Sequence, residues 1–479
     1  VVVASAVVSF APLDLAVFAL LMGGLLALGF SAKLRKATSF EFLAAGRRLT
    51  LPVFVATLVS TWYGGVLGIG ESVKYYGLGT WVLMGVPYYV FGIVYALWLA
   101  PRVRDADQIS LPERFAVQIG RRSAIVGAGL VFLLAVPAAH VLMLGVLVQA
   151  FTGWSMVASV LAATAVGTAF LYKGGLLADA RASIVAFVSM YVGFAVMLTS
   201  AVRADPGLLS RHVAENGFQW DGGMGWPFVA SFFILGAWTL VDPGFHQRVA
   251  SAESPTTGRR GVLASVACWF VFDMLTIGTG MYAVSMAQTA EPLLLFPALG
   301  EAVLSPGLKA LFIFGLVGTV VSAMVGYTLV AGASLARDLA ARVAKNAPTD
   351  ERIVGWTRIG FAVSSLVAIG LALQIQSVVA LWYAWAGAVV GALLVPVWHV
   401  YRRGAGLSDA WTAGAMALSF AASASWLAYG TATGNPYLSM TLPNGQDVSI
   451  GTLLPGLLVS VIVLGVGALA ERRTRRPAA

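Results

Sequence analysis

Apolar stretches long enough to cross a bilayer recur from one end of this 479-residue chain to the other, and this constrains the fold more than any single motif. A spanning helix takes about 20 predominantly apolar residues. About thirteen such spans can be read, at 12–31, 51–75, 80–100, 123–150, 155–172, 178–201, 226–245, 261–287, 308–334, 356–374, 377–400, 409–430 and 450–470. Hydrophobic residues make up 59% of the chain and charged residues only 11%, where a soluble domain carries about 25% charged residues. In hydrocarbon each backbone polar group needs an internal partner. The expectation is therefore an all-α polytopic membrane protein, a single transmembrane domain over 1–479.

The charges test that reading. Of 30 Lys and Arg, 25 fall in segments that are cytoplasmic if the amino terminus is outside. They include the clusters Lys33/Arg35/Lys36, Arg47/Arg48, Arg121/Arg122, Arg259/Arg260, Arg402/Arg403 and Arg472/Arg473/Arg475/Arg476. Only Lys74, Arg203, Arg211 and Lys309 fall outside, and Arg181 falls within a span. This is the positive-inside asymmetry, and it places the carboxyl terminus in the cytoplasm of a plasma (inner) membrane. The net charge of +9 lies in short loops, so the expected partners are the lipid bilayer and a small solute, with no nucleic acid. The single Cys268 excludes an intramolecular disulfide. No basic n-region precedes the first span, so no signal peptide is expected, and a chain beginning at Val1 is expected to be trimmed.

Two spans are interrupted. The stretch 51–79, LPVFVATLVSTWYGGVLGIGESVKYYGLG, gathers Ser60, Thr61, Trp62, Tyr63, Gly64 and Gly65 near its centre. Each glycine weakens a helix by about 1 kcal/mol relative to alanine, and a polar interruption at mid-depth suits a ligand or ion. Close helix packing through Gly64 and Gly68 is the competing account. The span 226–245 is broken at Pro243-Gly244 beside Asp242. Spans two to six and seven to eleven form two blocks of five, over 51–201 and 226–400. Tandem blocks of odd number must face opposite ways. The fold class expected is thus a five-plus-five inverted repeat, with one extra helix (12–31) before it and two peripheral helices (409–470) after. Matched broken helices in two such halves point to a transporter binding site.

Ionisable groups within spans are costly and carry functional hypotheses. Asp242 is a candidate for substrate, proton or gate chemistry, or else caps its helix or pairs with Arg248. Asp273, one turn after Trp269, is either a satisfied interhelical bond or a proton relay. Asp179 and Arg181 lie at a cytoplasmic helix start where snorkelling is routine. His140, after Pro137, is a packed histidine or a proton carrier. Glu71 and Lys74 are three apart and read as an interfacial pair. Most other tryptophans fall near span ends and read as an interfacial belt. The four histidines, His140, His212, His246 and His399, form no HExxH, and no GxSxG occurs, so an enzyme is not expected. No cofactor is expected beyond a coupling ion. Gly387 and Gly391 form a GxxxG pair that serves intramolecular packing as readily as a dimer, which leaves the oligomeric state open.

Several segments, in order, carry a family resemblance. They are GRRLTLP and STWYGG with YYGLG, then RFAVQIGRR, FTGW and Gly174-Gly175, and finally VDPGFHQRVASAES and GTVVSAMVGYTLVAGASLARDL. In these the chain resembles the sodium:solute symporter family, which has the leucine-transporter-like inverted-repeat fold. The resemblance implies secondary transport by alternating access, usually sodium-driven. It maps a sodium site onto the carbonyls of Ser60 and Tyr63 and the hydroxyl of Ser322. It also places Trp238 at an aromatic inner gate. The chain departs from the pattern at Ala323, where a second hydroxyl is usual, at Val325-Gly326, and at Ser183, where an aspartate is usual. These departures weaken the expected sodium site, and Arg181 is a candidate for a fixed positive charge near it. Val66 and Leu67 replace polar residues of sugar-carrying members, which disfavours a sugar. The reading is a secondary transporter importing a compact neutral or zwitterionic solute through Trp62, Tyr63, Gly64, Gly65, His140, Trp238 and Asp242. A proton-coupled or uncoupled transporter, or a solute sensor with a separate partner, are the alternatives.

Overall fold

The computed structural model describes residues 8–402, 406–435, 439–441 and 447–474. Val1, Arg403, Arg475 and Arg476 lie outside them. Among the described residues, eleven helices are long and apolar enough to cross a membrane. The other two expected spans form helices as well. Met156–Thr168 is only 13 residues long. Asp409–Ala432 has the length, but its serines, threonines and small residues dilute its apolar character. The protein is thus an all-α polytopic membrane protein of the inverted-repeat class. A short hairpin, Ser439–Thr441 against Asp447–Ser449, is its only described sheet.

The hub is the helix Leu308–Ala333, buried without interruption from Phe312 to Gly332. A helix apolar on all sides must be surrounded by others. It packs on Leu171–Ala204, on Leu51–Trp62 and on Asp350–Gln374. The leading helix Pro12–Phe30 lies against the hub and Leu171–Ala204, with most of its own surface exposed. The two last helices, Asp409–Ala432 and Leu453–Thr474, pack on each other and on Gly387–Tyr401, away from the hub.

Both interrupted spans are interrupted where the sequence suggested. In the first, Leu51–Trp62 passes through a tightened turn, Tyr63–Gly65, into Val66–Tyr76. In the second, Trp226–Leu235 tightens through Gly236–Leu240, and the backbone turns extended at Asp242 before Pro243–Ala250. The Asp242 carboxylate accepts the Phe245 N–H at 2.9 Å. It thereby satisfies an orphan donor at the new helix start, as an N-cap aspartate does. Two further helices carry widened turns facing the same region, Trp81–Gly85 and Leu381–Ala386. Such bulges free carbonyls and recur at functional sites. Thr452 Oγ1 answers two of them, donating to Tyr383 O at 3.0 Å and Ala384 O at 2.8 Å.

Not all of the connections match the sequence reading. The span 123–150 is two helices, Arg121–Ala135 and Ala138–Thr152, parted at Val136-Pro137. The segment before the hub folds into a helix, Leu295–Val303, with no counterpart among the expected spans.

Candidate functional site

The two breaks face a common cavity of about 90 Å³. Trp62, Tyr63 and Gly65 reach it from the first break, and Trp238 from the second. His140 comes from the first turn of Ala138–Thr152, Tyr88 from Val86–Val94, Tyr327 from the hub, and Trp382 and Trp385 from the widened turn Leu381–Ala386. Asp273, midway along Pro255–Met286, completes the wall.

Of the residues expected to bind substrate, five line this cavity and two do not. Gly64 faces the hub instead. A Cβ there would lie 1.9 Å from Ala323 Cβ, so its role is close approach of two helices. Gly65 gives way to Trp382, whose ring would lie 2.4 Å from an added Cβ. Asp242 is buried behind the wall, capping its helix and accepting Tyr327 O–H at 2.8 Å. Tyr327 in turn stacks on His140, with ring centres 5.2 Å apart. Two polar atoms of the lining, Trp238 Nε1 and His140 Nδ1, are buried with no protein partner among the described residues.

Two of the residues mapped to the ion, Ser60 and Ser322, meet each other. Ser322 Oγ lies 3.0 Å from Ser60 Oγ and 2.9 Å from Ser183 Oγ, so three helices contribute one hydroxyl each. The Tyr63 carbonyl is less free than a fully unwound helix would leave it, because it accepts the Val66 N–H across the tightened turn. A carbonyl oxygen has a second lone pair.

Four expectations are corrected here. Arg181 donates to Ser31 O and Oγ at 2.8 Å, partners outside the hydroxyl cluster, in place of the charge-replacing role. Arg248 pairs with Asp179, not with Asp242, at 2.9 Å, both side chains being almost wholly buried. Its guanidinium also donates to Thr57 Oγ1 at 3.0 Å and Thr61 Oγ1 at 2.7 Å, binding the second broken helix to the first. Glu71 and Lys74 do not pair. Glu71 accepts from Ser377 Oγ and from the N–H groups of Val378 and Val379, whereas Lys74 reaches Ala290 O. A buried carboxylate gains more from backbone donors at a helix start than from a flexible ammonium in the interface. Lastly, Trp382 and Trp385 belong to the cavity, not to an interfacial belt.

Asp273 is hydrogen-bonded, as one of its two readings had it. Its Oδ1 accepts Tyr63 O–H at 2.6 Å and its Oδ2 accepts Tyr89 O–H. Val66 and Leu67 are packed in the core and do not touch the cavity. The sequence reading missed Tyr88, Tyr89 and Tyr327. The Tyr88-Tyr89 pair after Pro87 was the one visible sign, because hydroxyls in mid-span need partners.

An interrupted helix pair around a cavity, with a hub carrying oxygen groups beside it, is the arrangement of the leucine-transporter-like fold. Solved structures share this architecture. A Na+-coupled sialic acid symporter superposes over 97% of this chain and 98% of its own, with TM-score 0.74 and 12% identity. The nucleobase-cation-symport-1 transporter Mhp1 covers 91% of this chain and 95% of its own, with TM-score 0.58 and 13% identity. At those identities the likeness is one of fold. The model of the sodium:solute symporter family matches residues 222–402, and the family resemblance is thereby borne out. Among curated proteins, the high-affinity choline transporter 1 of Caenorhabditis elegans is 24% identical over 388 residues, 74% of this chain. The human protein of that name is 24% identical over 375 residues, 72% of this chain. The matches span 65% and 64% of those relatives' lengths.

Proposed function

We propose that this chain is a secondary active transporter that imports a compact organic solute by alternating access. The solute occupies the cavity between the two broken helices. The observation that carries the reading is the convergence of both breaks on one aromatic-walled space, with Trp62, Tyr63 and Trp238 contributed by the breaks themselves. The protein sits in the plasma (inner) membrane with its amino terminus outside and its carboxyl terminus in the cytoplasm. The choline transporters among its relatives support a small organic solute over a sugar.

Sodium is the coupling ion in this reading, carried as cargo between Ser60, Tyr63 and Ser322. Oxygen groups suit a hard cation, and the three clustered hydroxyls favour such a site. Proton coupling is the second reading. It is favoured by the thin oxygen set, since Ala323 offers none and the Asp179 carboxylate is engaged by Arg248.

Thermal unfolding in detergent, in sodium chloride against potassium chloride at equal ionic strength, tests the ion. A ligand that binds only the folded state stabilises it by about 2.7 kcal/mol at a hundredfold excess over its dissociation constant. A saturable sodium-specific rise is the expected result. Stability identical in the two salts up to molar concentration contradicts sodium coupling.

A further inference from the structure

The leading helix Pro12–Phe30 ends against two cations from Leu171–Ala204. Lys173 donates to Phe30 O at 3.0 Å, and Arg181 donates to Ser31 O and Oγ at 2.8 Å. Gly174 permits the approach, since a Cβ there would lie 2.7 Å from Ala32 Cβ. From a third helix, Asp350–Gln374, Arg358 donates to Tyr172 O at 2.9 Å. The exposed Lys33, Arg35 and Lys36 follow the end of the leading helix directly. Among the described residues no ion pair includes any of these cations. The carboxylates in contact with the same segment are engaged: Glu41 pairs with Arg48, and Asp350 accepts the Ser39 N–H at 3.1 Å. Glu351 is exposed, two turns before Arg358 on its helix.

Two ordinary accounts cover part of this corner. Basic loops on one side orient a membrane protein, and cations at a helix C-terminus answer its last carbonyls. Neither covers the position of Arg181. It lies inside a spanning helix, and Ile184 and Val188, three and seven positions on, share its face and are exposed. That stripe faces lipid. A charge beside it is costly without a partner. A guanidinium has five N–H donors, and only Nη1 of Arg181 meets protein acceptors among the described residues.

We propose that this corner is a binding site for an anionic phospholipid. Its phosphate lies between Arg181 and Lys173, and its acyl chains lie along Ile184 and Val188. Guanidinium groups match phosphate oxygens in pairs, and basic pockets between spanning helices on the cytoplasmic side take such headgroups. This end of the leading helix is cytoplasmic in the proposed topology. Lys33, Arg35 and Lys36 extend the positive field around the headgroup. The exposed Phe30 and Tyr172 make the site apolar as well as cationic, which suits a lipid over a free phosphate. A lipid held there braces the leading helix, most of whose surface is exposed, against Leu171–Ala204.

The test is thermal unfolding of the purified full chain in detergent, titrated with dioleoylphosphatidylglycerol or dioleoylphosphatidylcholine. The two lipids share acyl chains and differ in headgroup charge. The expected result is a saturable rise in unfolding temperature, with an apparent affinity about tenfold or more higher for the anionic lipid, which is about 1.4 kcal/mol. Lys173→Gln/Arg181→Gln is expected to lose that preference. Arg259→Gln/Arg260→Gln, which removes the same charge from another exposed basic pair, is expected to keep it. Equal affinity for the two lipids overturns the proposal, as does an equal loss in both variants or a folded Lys173→Gln/Arg181→Gln protein that keeps the preference. If that variant does not fold, Lys33→Gln/Arg35→Gln/Lys36→Gln decides, because those side chains are exposed. A weakened preference for the anionic lipid is expected there, and an undiminished one overturns the proposal. Protection by inorganic phosphate equal to that by the lipid would assign the cations to a free anion and would also overturn it.

Discussion

Arg248 and Asp179 meet at 2.9 Å inside the protein, with side-chain exposures of 0% and 1%. Through Thr57 and Thr61 the same guanidinium also grips the first broken helix. One side chain therefore ties together three elements, Leu51–Trp62, Leu171–Ala204 and Pro243–Ala250. In the proposed alternating-access cycle, any relative movement of the three requires this contact to be broken and remade.

Breaking this pair on one side leaves a bare buried charge, which costs about 3–5 kcal/mol. Asp179→Asn and Arg248→Gln are each expected to lower the unfolding temperature sharply in detergent. The double variant Asp179→Leu/Arg248→Met is expected to recover much of the loss. A double variant as unstable as the two losses summed would show that the pair is not the unit that matters.

Gly64 and Ala323 form a second matched contact, between the first broken helix and the hub. Adding a methyl at Gly64 drives it into Ala323 Cβ, and overpacking of this kind costs about 1–3 kcal/mol. Gly64→Ala should destabilise, and adding Ala323→Gly should restore most of the stability. Thermal unfolding of the three variants measures this, and absence of rescue would mean that the methyl strains the turn itself.

Glu71 caps the helix start at Val378 through the N–H groups of Val378 and Val379. Glu71→Ala leaves two buried N–H groups unsatisfied, at about 1–3 kcal/mol each. Hydrogen exchange at Val378–Ala380 should quicken in this variant, and less so in Glu71→Gln, which keeps an acceptor oxygen. Unchanged exchange in the alanine variant would contradict the cap.

Ser322 stands between Ser60 and Ser183 at the proposed ion site. Ser322→Ala is expected to remove any sodium-dependent rise in unfolding temperature while shifting stability in potassium chloride by about 1 kcal/mol, the net worth of an ordinary hydrogen bond. A sodium response of undiminished size would place the ion elsewhere.

The fold was legible in the sequence because membrane insertion leaves few solutions. Apolar length, loop charge and the two polar interruptions each report on the same bilayer. Contacts between distant spans were harder to read. Asp242 and Arg248 share a helix, and proximity in sequence suggested a pair, yet the arginine reaches a carboxylate 69 residues away. Trp382 and Trp385 sit near a span end in sequence, and only the widened turn Leu381–Ala386 brings them to the cavity. Asp273 carried an ambiguity that sequence could not resolve, since its phenol partners come from two other helices. The serines converge because small residues let the hub approach, which a list of hydroxyls does not reveal.

The central claim, that the broken-helix cavity carries solute against a gradient, is tested most directly by uptake into proteoliposomes. A panel of labelled small organic solutes, cationic, zwitterionic and neutral, is supplied outside, with an inward sodium gradient and a potassium-only control. Accumulation of a member of the panel above its external concentration, collapsed by a sodium ionophore, is the result this account predicts. Uptake of every member that only equilibrates, at the same rate with and without sodium, would contradict it.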